Sequence, residues 1–248
     1  MSSNTENLGA LPFQGGVFHT THWSLIMIAK GRDGEKAEAA LNKLCGTYWP
    51  AVYTFVKGKG YNADDAQELT QEFFTRLAHK EWLNHLKHQD GKFRCFLLTF
   101  LKHFLSDERD RANAQKRGGG KPLISIDAYE AEDREFNLPA KGLSPDEAFD
   151  QRWLLSVMKE ATAKLEEHYR KRGKQALFNE LKDLQPGKHG EKSNAQIGAA
   201  LGMTEQAVKN ARKDFNDRYA ELLRQEIAET ISDPAELDAE MKHLMQAF

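Results

Sequence analysis

The sequence predicts an all-α chain of two helical domains joined by an acidic linker. Three observations carry that prediction. Apolar residues recur at three- and four-residue steps along each long segment, the period of a helix with one buried face. Capping and turn residues stand where those segments begin and end. No segment alternates apolar and polar residues for long enough to make a sheet, and Ile124-Ser125-Ile126 is too short to build one.

The elements follow in order. Residues 1–19 are polar, close with Gly15-Gly16, and are expected to form a mobile tail. Thr20 or Thr21 caps a first helix bearing Trp23, Ile26 and Met27. A second helix starts after Gly34, with Leu41, Leu44, Tyr48, Val52 and Phe55 on one face. Pro50 inside that pattern predicts a break or kink near Trp49, and Gly58-Lys59-Gly60 ends it. From Asp64 to Leu77, Ala66, Leu69, Phe73 and Leu77 form an apolar stripe beside an acidic one of Asp65, Glu68 and Glu72. Those acids suit a solvated face or the helix dipole equally well; a function for them requires a basic partner surface. From Phe93 to about Lys116 a long helix carries Phe93, Phe96, Leu97, Phe100, Leu101, Phe104 and Leu105 on its core face. Arg94, Lys102 and His103 fall off that face, and the helix runs out through Arg109 and Arg111 to Gly118-Gly119-Gly120. Its basic end suits melted nucleic acid, and suits a surface helix with paired charges as well.

Residues 121–144 read as the linker. Ser144-Pro145-Asp146-Glu147 then opens a helix with proline in its first turn, bearing Phe149, Trp153, Leu154, Val157 and Met158 and continuing toward Tyr169. Phe178 and Leu181 belong to another short helix. Ser193 and Gln196 fit a capping box for a helix with Ile197, Ala200 and Leu201. Gly202 supplies a left-handed stop, and Thr204 caps a helix with Val208, Ala211, Phe215, Tyr219 and Leu222 inward. Two helices about a tight glycine turn make a helix-turn-helix, whose second helix can enter the major groove; an ordinary helical hairpin is the alternative. Thr204, Glu205, Gln206, Lys209, Asn210 and Lys213 stand where that helix would meet base edges and phosphates. The domains are thus expected at 20–120 and 145–225, with residues 226–248 as an acidic extension opening its short helix at Ser232-Asp233-Pro234.

Composition sets outer bounds. A chain of 248 residues, 40% hydrophobic and 29% charged, is an ordinary soluble globular protein of one or two domains. Its formal net charge of −2 hides strong segregation. Lys92 to Lys121 holds eight basic and three acidic residues, Asp127 to Asp150 two and eight, and Glu226 to Phe248 one and six. Basic patches, not the total, matter for binding phosphate. Cys45 and Cys95 sit in apolar helical patterns and are expected to be buried, reduced thiols in a cytoplasmic protein. No signal peptide or membrane span is visible. The motifs of enzymes are missing too: no phosphate loop, no dinucleotide fingerprint and no singled-out nucleophile. His19/His22 and His85/His88 lack the partners of a metal site and read as surface histidines. Neither catalytic residues, a metal nor a cofactor is expected.

Taken in order, these stretches resemble the extracytoplasmic-function (ECF) sigma factors of bacterial RNA polymerase, and more narrowly the planctomycete- and verrucomicrobial-type branch of that group. Asp64-Asp65-Ala66-Gln67-Glu68-Leu69-Thr70-Gln71-Glu72-Phe73-Phe74 is similar to the region two helix that docks on the polymerase clamp. The resemblance implies polymerase contacts for Asp65, Glu68, Gln71, Glu72 and Phe74. Phe93-Arg94-Cys95-Phe96-Leu97-Leu98 through Asp107 and Arg109 resembles the segment that opens and reads the minus-ten element. It implies strand contacts for Lys92, Arg94, Lys102, His103, Arg109 and Arg111. Phe96 stands where many members carry Trp, and His103 where many carry Asn. Ile197 to Arg224 resembles region four, which reads the minus-thirty-five element, and the likeness covers about residues 20–225. Asp214, Asn216 and Asp217 lie where many members carry Arg or Lys, which removes phosphate contacts. The implied partners are core polymerase, promoter DNA both duplex and melted, and an anti-sigma factor; neither a membrane nor a small-molecule substrate is implied. Two other readings use the same residues: a stand-alone helix-turn-helix repressor dimerising through residues 1–60 or the C-terminal tail, and a polymerase-binding regulator that does not read DNA.

Overall fold

The computed structural model describes residues 34–78, 91–115, 142–182 and 192–246, with Leu25 and Ile28. Among them are eight α-helices and no strand, so the chain is all-α. The expected N-terminal tail, the first helix around Trp23, the four histidines and most of the linker lie outside the described residues.

Helix α1 spans Gly34–Gly58 without a break. The break expected near Trp49 does not occur: the helix continues through Pro50. Burial explains this. Proline in a helix interior costs roughly 3 kcal/mol, whereas burying each large apolar side chain contributes about 1.5–3 kcal/mol. Leu44, Val52 and Phe55 are all at most 2% exposed and lie on both sides of Pro50. Together they outweigh the proline.

Helix α2 is Ala63–Ala78 and is capped by Asn62, whose Oδ1 accepts from the Asp65 amide at 2.8 Å. Ala66, Phe73 and Leu77 are buried, as their stripe predicts. Helix α3, Phe93–Gln115, sets Phe100 and Phe104 against Phe73, with ring centroids 5.2 and 5.7 Å apart.

Helix α4, Pro145–Lys171, begins with the predicted capping box: the Glu147 amide donates to Ser144 Oγ, and the Ser144 amide donates to the Glu147 carboxylate at 2.8 Å. Its first half packs on α1. Trp153 stacks on Tyr48 at 6.2 Å, and Phe149 meets Phe55 edge-on at 6.4 Å. Its second half, through Leu165 and Tyr169, packs on the elements that follow. Helices α5 (Gln175–Leu181), α6 (Asn194–Leu201) and α7 (Glu205–Ala228) come next. Phe178 of α5 and Phe215 of α7 close that end at 5.9 Å. One continuous set of buried residues therefore runs from α1 through α4 to α7.

A 3₁₀ turn, Pro234–Glu236, leads into α8, Leu237–Met245. This segment folds back: the Phe93 amide donates to the Thr230 carbonyl at 3.0 Å, and Ser232 Oγ donates to the Gly91 carbonyl at 2.6 Å.

The cysteines depart from expectation. Cys95 is exposed, because it follows Phe93 and Arg94 onto the outer side of α3, and Cys45 is half-buried. Burial pushes the Cys45 thiol up to about 12. Burial raises the Cys95 thiol as well, so a thiol reagent at neutral pH should modify the exposed Cys95 slowly and Cys45 only after denaturation. Two equally fast thiols in the native protein would contradict this placement.

Candidate nucleic-acid interface

The helix-turn-helix is assembled from its own caps. Ser193 Oγ accepts from the Gln196 amide at 3.2 Å, and the Ser193 amide donates to Gln196 Oε1 at 2.8 Å. Gly202 takes the left-handed conformation, φ 65° and ψ 30°, which a side chain disfavours. Thr204 Oγ1 accepts from the Ala207 amide at 3.2 Å and starts α7. Ile197, Val208 and Phe215 lie buried between the two helices and their support.

One determinant of this turn escaped sequence reasoning. Gly198 lies inside α6, and a Cβ there would sit 2.6 Å from the Met203 carbonyl oxygen. The Met203 amide donates back to the Gly198 carbonyl at 2.9 Å. The two backbones touch, so only glycine fits. The available signal was a glycine mid-helix, a position that costs about 1 kcal/mol relative to alanine without a packing reason.

The outer face of α7 presents Thr204, Glu205, Gln206, Lys209, Asn210 and Lys213, all exposed. Gln206 Nε2 donates to Asn210 Oδ1 at 3.0 Å, which aligns two amide side chains one turn apart. Amides of this kind read adenine edges bidentately. Asp214 lies on the flank of that face. It lines a cleft of about 400 Å³ with His168, Tyr169, Arg172, Lys174 and Arg218. Burial, then the charges of Arg172, Arg218 and Lys174, holds His168 below its ordinary value, and burial with the charge of Asp214 holds Tyr169 above its own.

The six residues expected to meet the melted strand on or beside α3 divide. Lys102, His103, Arg109 and Arg111 are exposed. Lys102 pairs with Asp146, and Arg111 with Glu108 at 2.9 Å. Lys92 and Arg94 are not presented outward. Arg94 is 4% exposed. Its Nη1 pairs with Asp150, and its Nε and Nη2 donate to Glu240 Oε1 at 3.1 and 2.9 Å. Lys92 Nζ lies 2.8 Å from Glu240 Oε2. The expectation that both meet DNA therefore fails for this conformation, because α8 and α4 cover the start of α3. Burial raises the Glu240 carboxyl, but the Lys92 hydrogen bond and the Arg94 charge outweigh it, and the net effect is a lowered pKa.

On α2, Asp65 and Glu68 are exposed, while Gln71 and Glu72 are half-buried. Glu72 accepts from Arg76 at 2.8 Å, and Arg76 also reaches Glu108 of α3 at 2.5 Å. Phe74 does not stand beside the acids as an exposed anchor. It is 5% exposed and stacks on Trp49 at 5.6 Å. Its ring follows Phe73 into the core, the one-step neighbour that a helical stripe three residues wide still covers.

The Gly198 contact is testable by stability. Gly198→Ala should lower stability by roughly 1–3 kcal/mol through overpacking against an immovable carbonyl. Gly34→Ala, whose Cβ would meet nothing within 4 Å, serves as the control. Equal melting temperatures for the two variants would refute the close approach.

Two kinds of comparison give no match: neither curated proteins nor solved structures resemble the chain at a significant level. A family model does. The model described as ECF sigma factor matches residues 51–225, a span that begins inside α1 and ends inside α7. It covers the acidic helix α2, the basic helix α3 and the helix-turn-helix, in that order. The chain belongs to the ECF sigma factor family: it is an RNA polymerase sigma factor for promoter-directed transcription initiation.

Proposed function

We propose that residues 20–120 bind core polymerase and the melted minus-ten strand, and that residues 145–225 read the duplex minus-thirty-five element. The protein works in the cytoplasm as a non-catalytic specificity subunit of the planctomycete- and verrucomicrobial-type branch, with an anti-sigma factor as a candidate partner. The observation that carries the DNA-reading half is the exposed amide pair Gln206 and Asn210 on a helix anchored by a left-handed Gly202 turn. The exposed acids Asp65 and Glu68 support polymerase docking, since surface carboxylates steer encounter with a basic partner. No described helix is long and apolar enough to cross a membrane, in keeping with this role.

Run-off transcription with purified core polymerase tests the whole reading. Addition of the protein should produce transcripts from a subset of promoters in a genomic library. A repressor or a regulator that does not read DNA would yield none.

Two sets of variants test the parts. In the holoenzyme, Gln206→Ala should cost roughly 1–3 kcal/mol and relax one promoter position. Asp214→Arg should instead tighten binding to many sequences alike, because phosphate contacts carry no base information. Unaltered binding by Asp214→Arg at both low and high salt would remove that residue from the DNA-facing flank. Reversing Asp65 and Glu68 together should weaken core binding, most at low salt, with helical content unchanged. Normal core binding by that double variant would leave these acids a solvated face.

A further inference from the structure

The start of α3 is occupied by the chain's own acidic C-terminus. Glu240 is 0% exposed and serves both cations there, Arg94 through Oε1 and Lys92 through Oε2. Asp150 takes the remaining Arg94 nitrogen, and its second oxygen lies 3.1 Å from His243 Nε2. Two carboxylates thus hold a guanidinium through charge-assisted hydrogen bonds and an ammonium through an ion pair, much as phosphate oxygens would.

The segment bearing Glu240 is a separable unit. Helix α8 has nine residues, too few to persist alone in water. Leu244 is its one fully buried apolar side chain, with Leu237 and Met241 half-buried. Leu244 joins the core of Tyr48, Phe55, Phe149 and Trp153 at its edge, so α8 adds a single apolar anchor to that core. Short elements with few buried contacts belong to the low-stability end of a fold and open locally.

We propose that residues 230–245 are an acidic clasp, an internal competitor that occupies Lys92 and Arg94 until single-stranded nucleic acid displaces it. The inference rests on the assignment of α3 to the melted strand. Exchange is favoured over simple opening because an incoming phosphate replaces the two Glu240 hydrogen bonds, whereas opening alone leaves Arg94 with Asp150 as its acidic partner. While closed, the clasp lowers apparent affinity by the fraction of molecules that are open. It also places Glu240 of the acidic extension in the same role toward α3 that DNA has, and Glu236 lies 3.8 Å from Lys92 Nζ.

The test uses the full chain and a short, fluorescent, single-stranded oligonucleotide of mixed sequence. Hydrogen exchange is followed in residues 237–245 with and without saturating oligonucleotide. Binding should raise exchange in α8 and slow it at residues 93–96. Glu240→Gln, which keeps the shape and removes the charge, should bind several-fold tighter than wild type. Adding Arg94→Gln should abolish that gain and lower the salt slope by about one unit for the lost cation. Unchanged α8 protection in wild type at saturation overturns the clasp, whatever the variants do, and makes the network a fixed strut. Failure of both wild type and Glu240→Gln to bind the oligonucleotide overturns it as well. Should Glu240→Gln prove unfolded by circular dichroism, the wild-type exchange result decides alone. Run-off transcription reports separately on the sigma assignment: transcripts with a static α8 sink only the clasp, and absence of transcripts sinks the parent reading.

Discussion

A buried guanidinium is the constraint around which this molecule closes. Removing an arginine from water is unfavourable unless carboxylates meet it with good geometry, and breaking such a pairing typically costs 3–5 kcal/mol. Arg94 is 4% exposed, so it must be met. No carboxylate of α3 itself supplies the partner. Asp150 comes from α4 and Glu240 from α8, more than 50 and more than 140 residues along the chain. Three elements that share no local sequence are thereby fixed in one arrangement. Trp153 lies beneath the same group, with its ring 5.7 Å from the Arg94 guanidinium carbon. The apolar packing of α4 on α1 and the polar closure over α3 thus meet at a single side chain.

Charge segregation along the chain takes on a structural meaning from this arrangement. The basic stretch beginning at Lys92 and the acidic stretch beginning at Glu226 neutralise one another across space. Further pairs extend the pattern: Lys164 with Glu226, Arg224 with Asp238 at 2.6 Å, and Lys102 with Asp146. Glu226 is buried, whereas the two exposed pairs, Arg224 with Asp238 and Lys102 with Asp146, contribute little each, typically 0–1 kcal/mol. Their effect lies in which faces stay electropositive. Lys209 and Lys213 on the outer face of α7 and Arg109 on α3 stay exposed, whereas Lys92 and Arg94 at the near end of α3 are covered.

The helices and the helix-turn-helix were legible from sequence because their determinants are local. Ser144 with Glu147 and Ser193 with Gln196 fix two starts, Gly202 fixes a stop, and the periodic stripes fix which faces are buried. What was not legible depends on partners distant in sequence. Pro50 reads as a break until the residues burying α1 on either side of it are known. Phe74 reads as a surface anchor until Trp49 is found across from it. Cys95 and Arg94 adjoin on α3, and periodicity alone sends the wrong one outward. A charged residue inside requires knowledge of the carboxylates that receive it, and those lie at the opposite end of the chain. Gly198 is intermediate: its position is odd locally, but the reason is a carbonyl five residues on and folded back.

Helix α4 has a mechanical consequence. Its 27 residues extend roughly 40 Å at 1.5 Å per residue. One end is gripped by Tyr48 and Phe55, the other by Phe215 and Phe178 through Tyr169. Capped by Ser144 and free of glycine and internal proline, it behaves as a rigid beam, since sharp bends in helices trace to such residues or to inserted groups. A torque applied to the helix-turn-helix by curved or twisted DNA is delivered to α1 as rotation of one body, with no joint along the way to dissipate it.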